Sequence, residues 1–72
     1  MTHPTSADIC RAQGWTVGDI LEGQDKVSTD RIRITAIGEA HILARWQSAD
    51  LSESAERLIS LDFRDWRKVG AE

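Results

Sequence analysis

The sequence predicts a mainly β fold, in which five short strands form one small barrel and a short helix precedes them. The clearest observation is the segment from Asp30 to Glu39, where β-branched residues alternate with polar ones as in a half-buried antiparallel strand. A second is the division of the chain into short apolar runs by glycines and polar turns. A third is its length of 72 residues, which suits a single small domain, residues 1–72.

A short helix is predicted over residues 6–13. Thr5 is a favourable N-cap residue, and Asp8 three positions later completes an approximate capping box. Gly14 stands where helices commonly end on glycine. The few apolar residues of this segment lie about one turn apart. We therefore expect one side of the helix to dock on the barrel and cover an open end.

The strand after Asp30 is predicted to be the central one. Its alternation places one set of side chains inside, Ile32, Ile34 and Ala36, and the other set outside, Arg31, Arg33 and Thr35. A bulge or turn is expected where the alternation breaks, at Ile37 and Gly38. The strand before it is predicted between Gly14 and Gly23, with Ile20 or Leu21 facing inward.

A turn at residues 38–40 leads to a returning strand from His41 to Gln47. Its register is open, because the buried set could be Ile42, Ala44 and Trp46 or else Leu43 and Arg45. Residues 48–55 are polar and acidic and are predicted to form a mobile loop.

Alternation resumes from Glu56 to Phe63, with Leu58 lying off the face of Ile59 and Leu61. We predict a tight helical turn over residues 63–66, a last short strand over residues 66–69, and a frayed tail at residues 70–72. This order of elements is that of an SH3-like barrel. An OB-like barrel is the alternative, although it normally needs longer strands and a helix between the third and fourth.

Composition narrows the classes of function. The formal net charge is −3 and the isoelectric point is near 5.3, which argues against binding nucleic acid through overall charge. Cys10 is the single cysteine, so no intrachain disulfide can form, and with two histidines a zinc site is not expected. No apolar run has the about 20 residues of a membrane span, and the start of the chain lacks a signal peptide pattern. We expect a soluble, cytosolic protein without a cofactor.

No catalytic constellation stands out. His3 and His41 have no serine, cysteine or carboxylate at a diagnostic spacing, and Cys10 lies in a helix that supplies none of the usual activation of a thiol. Acidic residues of the polar loop and just beyond it, Asp50, Glu53 and Glu56, lack the spacing and glycine of a calcium loop. The sequence therefore predicts no enzyme and no metal site.

The candidate ligand-binding residues are Arg31, Arg33, Arg45 and Trp46. Guanidinium groups on neighbouring strands can clamp a phosphate bidentately, and they can equally pair with carboxylates such as Glu39. An exposed Trp46 could stack on a base or insert into a partner, whereas a buried one would serve the core.

Four segments carry a family resemblance: Gly14-Trp-Thr-Val-Gly-Asp-Ile-Leu-Glu-Gly23, Arg31-Ile-Arg-Ile-Thr-Ala-Ile-Gly-Glu39, Ile42-Leu-Ala-Arg45 and Leu61-Asp-Phe-Arg-Asp-Trp-Arg-Lys-Val69. In this order they resemble a family of small tailed-phage and prophage proteins with a domain of unknown function, over about residues 11–69. The resemblance implies a phage or prophage origin and a place in the cytoplasm of the bacterial host. It carries no catalytic or binding residues.

The leading hypothesis is therefore a non-enzymatic, phage-encoded binding module that acts against or redirects a host system, for example by sequestering a nucleotide signal. One alternative is an adaptor or inhibitor that binds a host protein through a barrel edge or the acidic loop. A nucleic-acid-binding small barrel is a further alternative. Open strand edges also favour association into a homo-oligomer.

Overall fold

The computed structural model describes residues 4–24, 28–48, 50, 52–61 and 65–71. One helix precedes five strands: α1 (Ser6–Gln13), β1 (Asp19–Gln24), β2 (Thr29–Ile37), β3 (Ile42–Gln47), β4 (Arg57–Ile59) and β5 (Asp65–Ala71). The strands form one antiparallel sheet in the order β4-β3-β2-β1-β5. The mainly β fold is confirmed. β4 and β5 are the edges, and the pairings among the described residues do not close the sheet into a barrel.

The predicted helix and its capping box are confirmed. The Thr5 hydroxyl accepts a hydrogen bond from the amide of Asp8 at 3.1 Å, and the Asp8 carboxylate accepts one from the amide of Thr5 at 3.2 Å. These bonds lower the pKa of Asp8. Gly14 ends the helix with φ at 75°, in the left-handed region that glycine adopts without strain.

The helix contributes to the core of the protein, and we call the face of the sheet that carries this core the core face. Ala7 and Cys10 of the helix are fully buried in the core. Arg11 donates hydrogen bonds to the carbonyls of Gly38 and Glu39 at 3.0 and 2.9 Å. The helix is thereby fastened to the turn between β2 and β3. No helix among the described residues is both long enough and apolar enough to cross a membrane.

The alternation in β2 holds as far as Ile34 and then shifts. Ile32 and Ile34 are fully buried on the core face, but the register slips between Ile34 and Ala36, so that Thr35 is an extra residue. Ala36 consequently lies opposite Leu43, on the other side of the sheet from Ile34, and its expected inward position was wrong. The bulge thus comes earlier than the predicted break at Ile37 and Gly38.

The open register of β3 is settled by burial. Ile42 and Ala44 are 1% and 0% exposed, so the first of the two arrangements is the native one. In β1 the inward residue is Leu21, which is fully buried. The buried apolar residues form one core, which consists of Ala7, Cys10, Trp15, Leu21, Ile32, Ile34, Ile42, Ala44, Ile59 and Leu61.

The last strand is longer than predicted. Asp65 and Trp66 belong to β5 and not to a helical turn, because Trp66 pairs with Gly23 of β1 and packs on it. Residues 63 and 64 of that predicted turn lie outside the described residues. β5 also continues through Gly70 and Ala71, which pair with β1, where the sequence predicts a frayed tail.

Candidate functional site: the outer face of the sheet

Charged side chains line up in a row across the face of the sheet that points away from the core, which we call the outer face. Residues directly opposite each other on paired strands share a face. The registers therefore place one residue from each of β5, β1, β2 and β3 side by side, followed by one from the loop after β3. The row runs in the order Arg67, Glu22, Arg31, Gln47 and Glu53.

Glu22 is the centre of the charge network at the β5 side of this row. Its carboxylate accepts a hydrogen bond from Arg31 and another from Arg67, both at 3.1 Å. These two bonds lower the pKa of Glu22. Arg31, a predicted ligand-binding residue, is thus already held by a carboxylate of its own sheet.

Two arginines face each other in the neighbouring row. Arg33 of β2 lies directly opposite Arg45 of β3. Like charges in this position repel each other, so the pair needs compensation. Glu53 provides part of it: Nε and Nη2 of Arg33 donate to the two carboxylate oxygens of Glu53 at 2.8 and 2.7 Å, and Gln47 Nε2 donates at 3.0 Å.

The bidentate Arg33–Glu53 pair is partly shielded from water, since the two side chains are 19% and 23% exposed. The hydrogen bonds from Arg33 and then Gln47 lower the pKa of Glu53 from 4.5 to about 2. The carboxylate is therefore firmly ionised at neutral pH.

Arg45 has a different environment. Its Nη1 donates to the backbone carbonyl of Ser54 at 3.1 Å, and it makes no ion pair with any described carboxylate. A carbonyl carries no net charge, so the charge of Arg45 is compensated only through space, by the nearby Glu53 carboxylate. Arg45 thus differs from Arg31 and Arg33, which each bind a carboxylate directly.

Trp46 does not join the arginines. It lies opposite Ile32, on the core face, and its ring centroid is 6.4 Å from that of Trp66 with the planes tilted by 54°. The two indoles are partly buried against the core. The structure therefore brings Arg31, Arg33 and Arg45 to one face of the sheet and Trp46 to the other.

Apolar side chains continue the outer face beyond the Arg33–Arg45 pair. Leu43 of β3 lies between Ala36 of β2 and Leu58 of β4 in the next row. Leu58 is 60% exposed, one of the most exposed large apolar residues that the structure describes. The outer face thus combines a charged part with a small apolar part.

Sequence reasoning missed the residues that position the arginines, which are Glu22, Gln47, Glu53 and Ser54. The sequence shows Glu53 only as one acid of the polar loop. It lies 20 residues from Arg33 in the chain, yet it contacts Arg33 directly. Alternation does place Glu22 in a strand next to Arg31. No local pattern, however, signals the contact made by Glu53.

Two other residues considered for catalysis, Cys10 and His41, lie away from the outer face. Cys10 is fully buried, and this burial raises the pKa of its thiol. His41 is exposed beside a pocket of about 150 Å³, which is lined by Pro4, Thr5, Ser6, Ala40, His41 and Ser60. Within residues 4–24, 28–48, 50, 52–61 and 65–71, no group of at least three His, Cys, Asp or Glu residues could hold a metal ion.

Comparison with known proteins identifies the family and nothing finer. The chain matches no curated protein and no solved structure. A family model described as a domain of unknown function, DUF7241, matches residues 4–71, which span α1 and all five strands. The chain therefore belongs to the DUF7241 family.

Proposed function

We propose that the protein is a non-enzymatic binding module that captures an anionic ligand on the outer face of its sheet. The observation that supports this most strongly is the position of Arg33 directly opposite Arg45, without an ion pair for Arg45 among the described residues. Two like charges side by side cost stability, and an anion that bridges them would relieve the repulsion. Arginine forks are also well suited to phosphate.

The ligand in this proposal is a phosphate-bearing, nucleotide-like small molecule of a bacterial host. The resemblance to tailed-phage and prophage proteins supports a phage-encoded module, located in the host cytoplasm, that acts against or redirects a host system. Sequestration of a nucleotide signal used in host defence is its most specific form. Trp46 lies on the core face, so the base of such a ligand would rest on Leu43 and Leu58 beside the arginines.

An adaptor that binds an acidic surface of a host protein is the second candidate. The observation that favours it is the apolar row at the edge of the outer face, where Leu58 is 60% exposed next to the arginines. Small-molecule sites are usually concave. A row along a sheet is better suited to a protein partner. A nucleic-acid-binding role has less support, because the net charge is −3.

The SH3-like barrel remains part of the proposal. Two features support a strongly curved sheet. The last strand, β5, pairs with the first, β1, and β2 has a bulge at Thr35. In the same way, the two edge strands β4 and β5 support association into a homo-oligomer. Sedimentation that gives only the 8.1 kDa species would contradict the oligomer.

The decisive experiment compares Arg45→Ala with Arg57→Ala. Arg57 is an exposed arginine that pairs with the buried Ala44 and so lies on the other face, which makes it a matched control. Calorimetric titration with nucleoside phosphates and cyclic dinucleotides should show about tenfold or greater loss of affinity in Arg45→Ala only. Circular dichroism confirms that both variants fold.

The outcomes separate the candidates. Equal affinities in the wild type and Arg45→Ala would remove the arginine pair from the function. If no nucleotide binds, but the protein captures an acidic host protein and this capture depends on Arg45, the adaptor function would be supported in place of nucleotide binding. Binding to unrelated DNA or RNA that falls steeply with salt would favour the nucleic-acid role.

A further inference from the structure

The carboxylate of Glu53 is bound as an incoming anion would be. Both of its oxygens accept hydrogen bonds from Arg33, at 2.7 and 2.8 Å, and Oε2 also accepts one from Gln47 at 3.0 Å. This is the bidentate, charge-assisted geometry by which arginine recognises free carboxylates and phosphates. Arg45, on the adjacent strand, adds a second positive charge that also favours an ionised Glu53.

Glu53 reaches this position from the loop between β3 and β4. The backbone on either side of it is held without the carboxylate, because the amide of Ser48 donates to the carbonyl of Ser52 and the amide of Ser54 donates to the carbonyl of Trp46, both at 2.9 Å. A rotation of the Glu53 side chain alone would therefore empty the site. The backbone hydrogen bonds of the loop would stay in place.

We propose that Arg33, Gln47 and Arg45 form an oxyanion-binding site that Glu53 occupies within its own chain, and that a carboxylate or phosphate of the ligand binds there by displacing Glu53. This inference rests on the proposed function, because it concerns the same face of the sheet. It adds the chemical class of the group that is bound and the residue that competes with it.

Competition by Glu53 lowers the apparent affinity for any added anion. A ligand binds the emptied site only, so the measured dissociation constant is the intrinsic one divided by the fraction of molecules in which the site is empty. Removal of the Glu53 carboxylate should therefore strengthen binding of small anions. If Glu53 were only half of an ordinary ion pair, its removal would give a weak response to anions that does not saturate.

The test is chemical rescue of Glu53→Ala with acetate or inorganic phosphate as the probe. The melting temperature of Glu53→Ala should rise saturably by a few degrees with either anion, relative to chloride at equal ionic strength, because the anion binds the folded state. The wild type should respond much less. Glu56→Ala, which removes the same charge from an exposed position nearby, serves as the matched control.

A response of Glu53→Ala no larger than that of Glu56→Ala would overturn the inference. If Glu53→Ala does not fold, Glu53→Gln is titrated with phosphate instead, and the Arg33 Nε–H resonance is followed by NMR. A resonance that does not change would also overturn the inference. If anions stabilise Glu53→Ala but no ligand binds in a way that depends on Arg45, only the proposed function is refuted. If a ligand does bind in a way that depends on Arg45 but anions do not stabilise Glu53→Ala, only the displacement of Glu53 is refuted.

Discussion

The indole of Trp66 lies directly on Gly23, its partner across the β1–β5 pairing. A Cβ atom at position 23 would come within 2.7 Å of two ring carbons of Trp66, a distance that side chains do not tolerate. Glycine is thus required here for close packing, and not for its backbone conformation. The contact lets Trp66 reach Trp46 over the core face.

Gly23→Ala should consequently destabilise the fold by about 1–3 kcal/mol, because the large ring must move away from the core. Gly70→Ala in the same strand pairing is the control, since its Cβ would meet only Ile20 atoms at 3.8 and 3.9 Å. Urea unfolding followed by tryptophan fluorescence measures both. Equal stabilities of the two variants would mean that Trp66 does not pack on Gly23 in solution.

The bulge residue Thr35 leads to a second prediction. Its Oγ1 is buried and has no hydrogen-bond partner among the described residues. A buried hydroxyl without a partner costs free energy, and valine has nearly the same shape. Thr35→Val should therefore be neutral or more stable by about 1 kcal/mol. A clear loss of stability in thermal unfolding would indicate that the hydroxyl has a bound water or another partner.

The fold was predictable where the signals are local. The capping box of Thr5 and Asp8, the glycine after the helix and the alternation up to Ile34 all depend on residues within a few positions of each other. The position of the bulge was not predictable, because the alternation in the sequence continues through Thr35 and Ala36 and breaks only at Ile37 and Gly38. The slip at Thr35 decides where Ala36 lies.

The candidate site was predictable in part. Arg31, Arg33 and Arg45 do share a face, as alternation and hairpin pairing indicated. The sequence did not decide on which face Trp46 lies. The register of β3 depends on its contacts with β2 and β4, such as those of Ile42 with Ile37 and Ile59. The pairing of Glu53 with Arg33 is a contact between distant parts of the chain, and no local pattern specifies it.

Asp19 is the buried charged residue at the start of β1, 4% exposed. Its Oδ2 accepts a hydrogen bond from the amide of Thr16 at 2.9 Å, and its Oδ1 lies 3.3 Å from Lys68 Nζ. Asp19→Ala leaves that amide without its acceptor and should cost about 1–3 kcal/mol. Asp19→Asn keeps an acceptor and should cost less. Calorimetric melting of both variants checks this order, which a similar loss in both would contradict.

Glu53 makes the stability of the protein sensitive to acid. Its pKa in the folded protein is about 2, below the ordinary value of 4.5, because it accepts hydrogen bonds from Arg33 and Gln47. A lowered pKa means that the unfolded state binds the proton more readily. The stabilisation by the Glu53 carboxylate is therefore complete above about pH 4.5 and is lost as the pH falls toward 2.

The measurement is the difference in unfolding free energy between the wild type and Glu53→Gln from pH 7 to pH 2. This difference should be constant at neutral pH and should shrink below about pH 4.5, because glutamine does not titrate. Glu56→Gln is the control and should follow the wild type without such a change. A difference that stays constant down to pH 2 would show that Arg33 and Gln47 do not hold the Glu53 carboxylate in solution. The arginine pair would then be open to anions without competition from the loop.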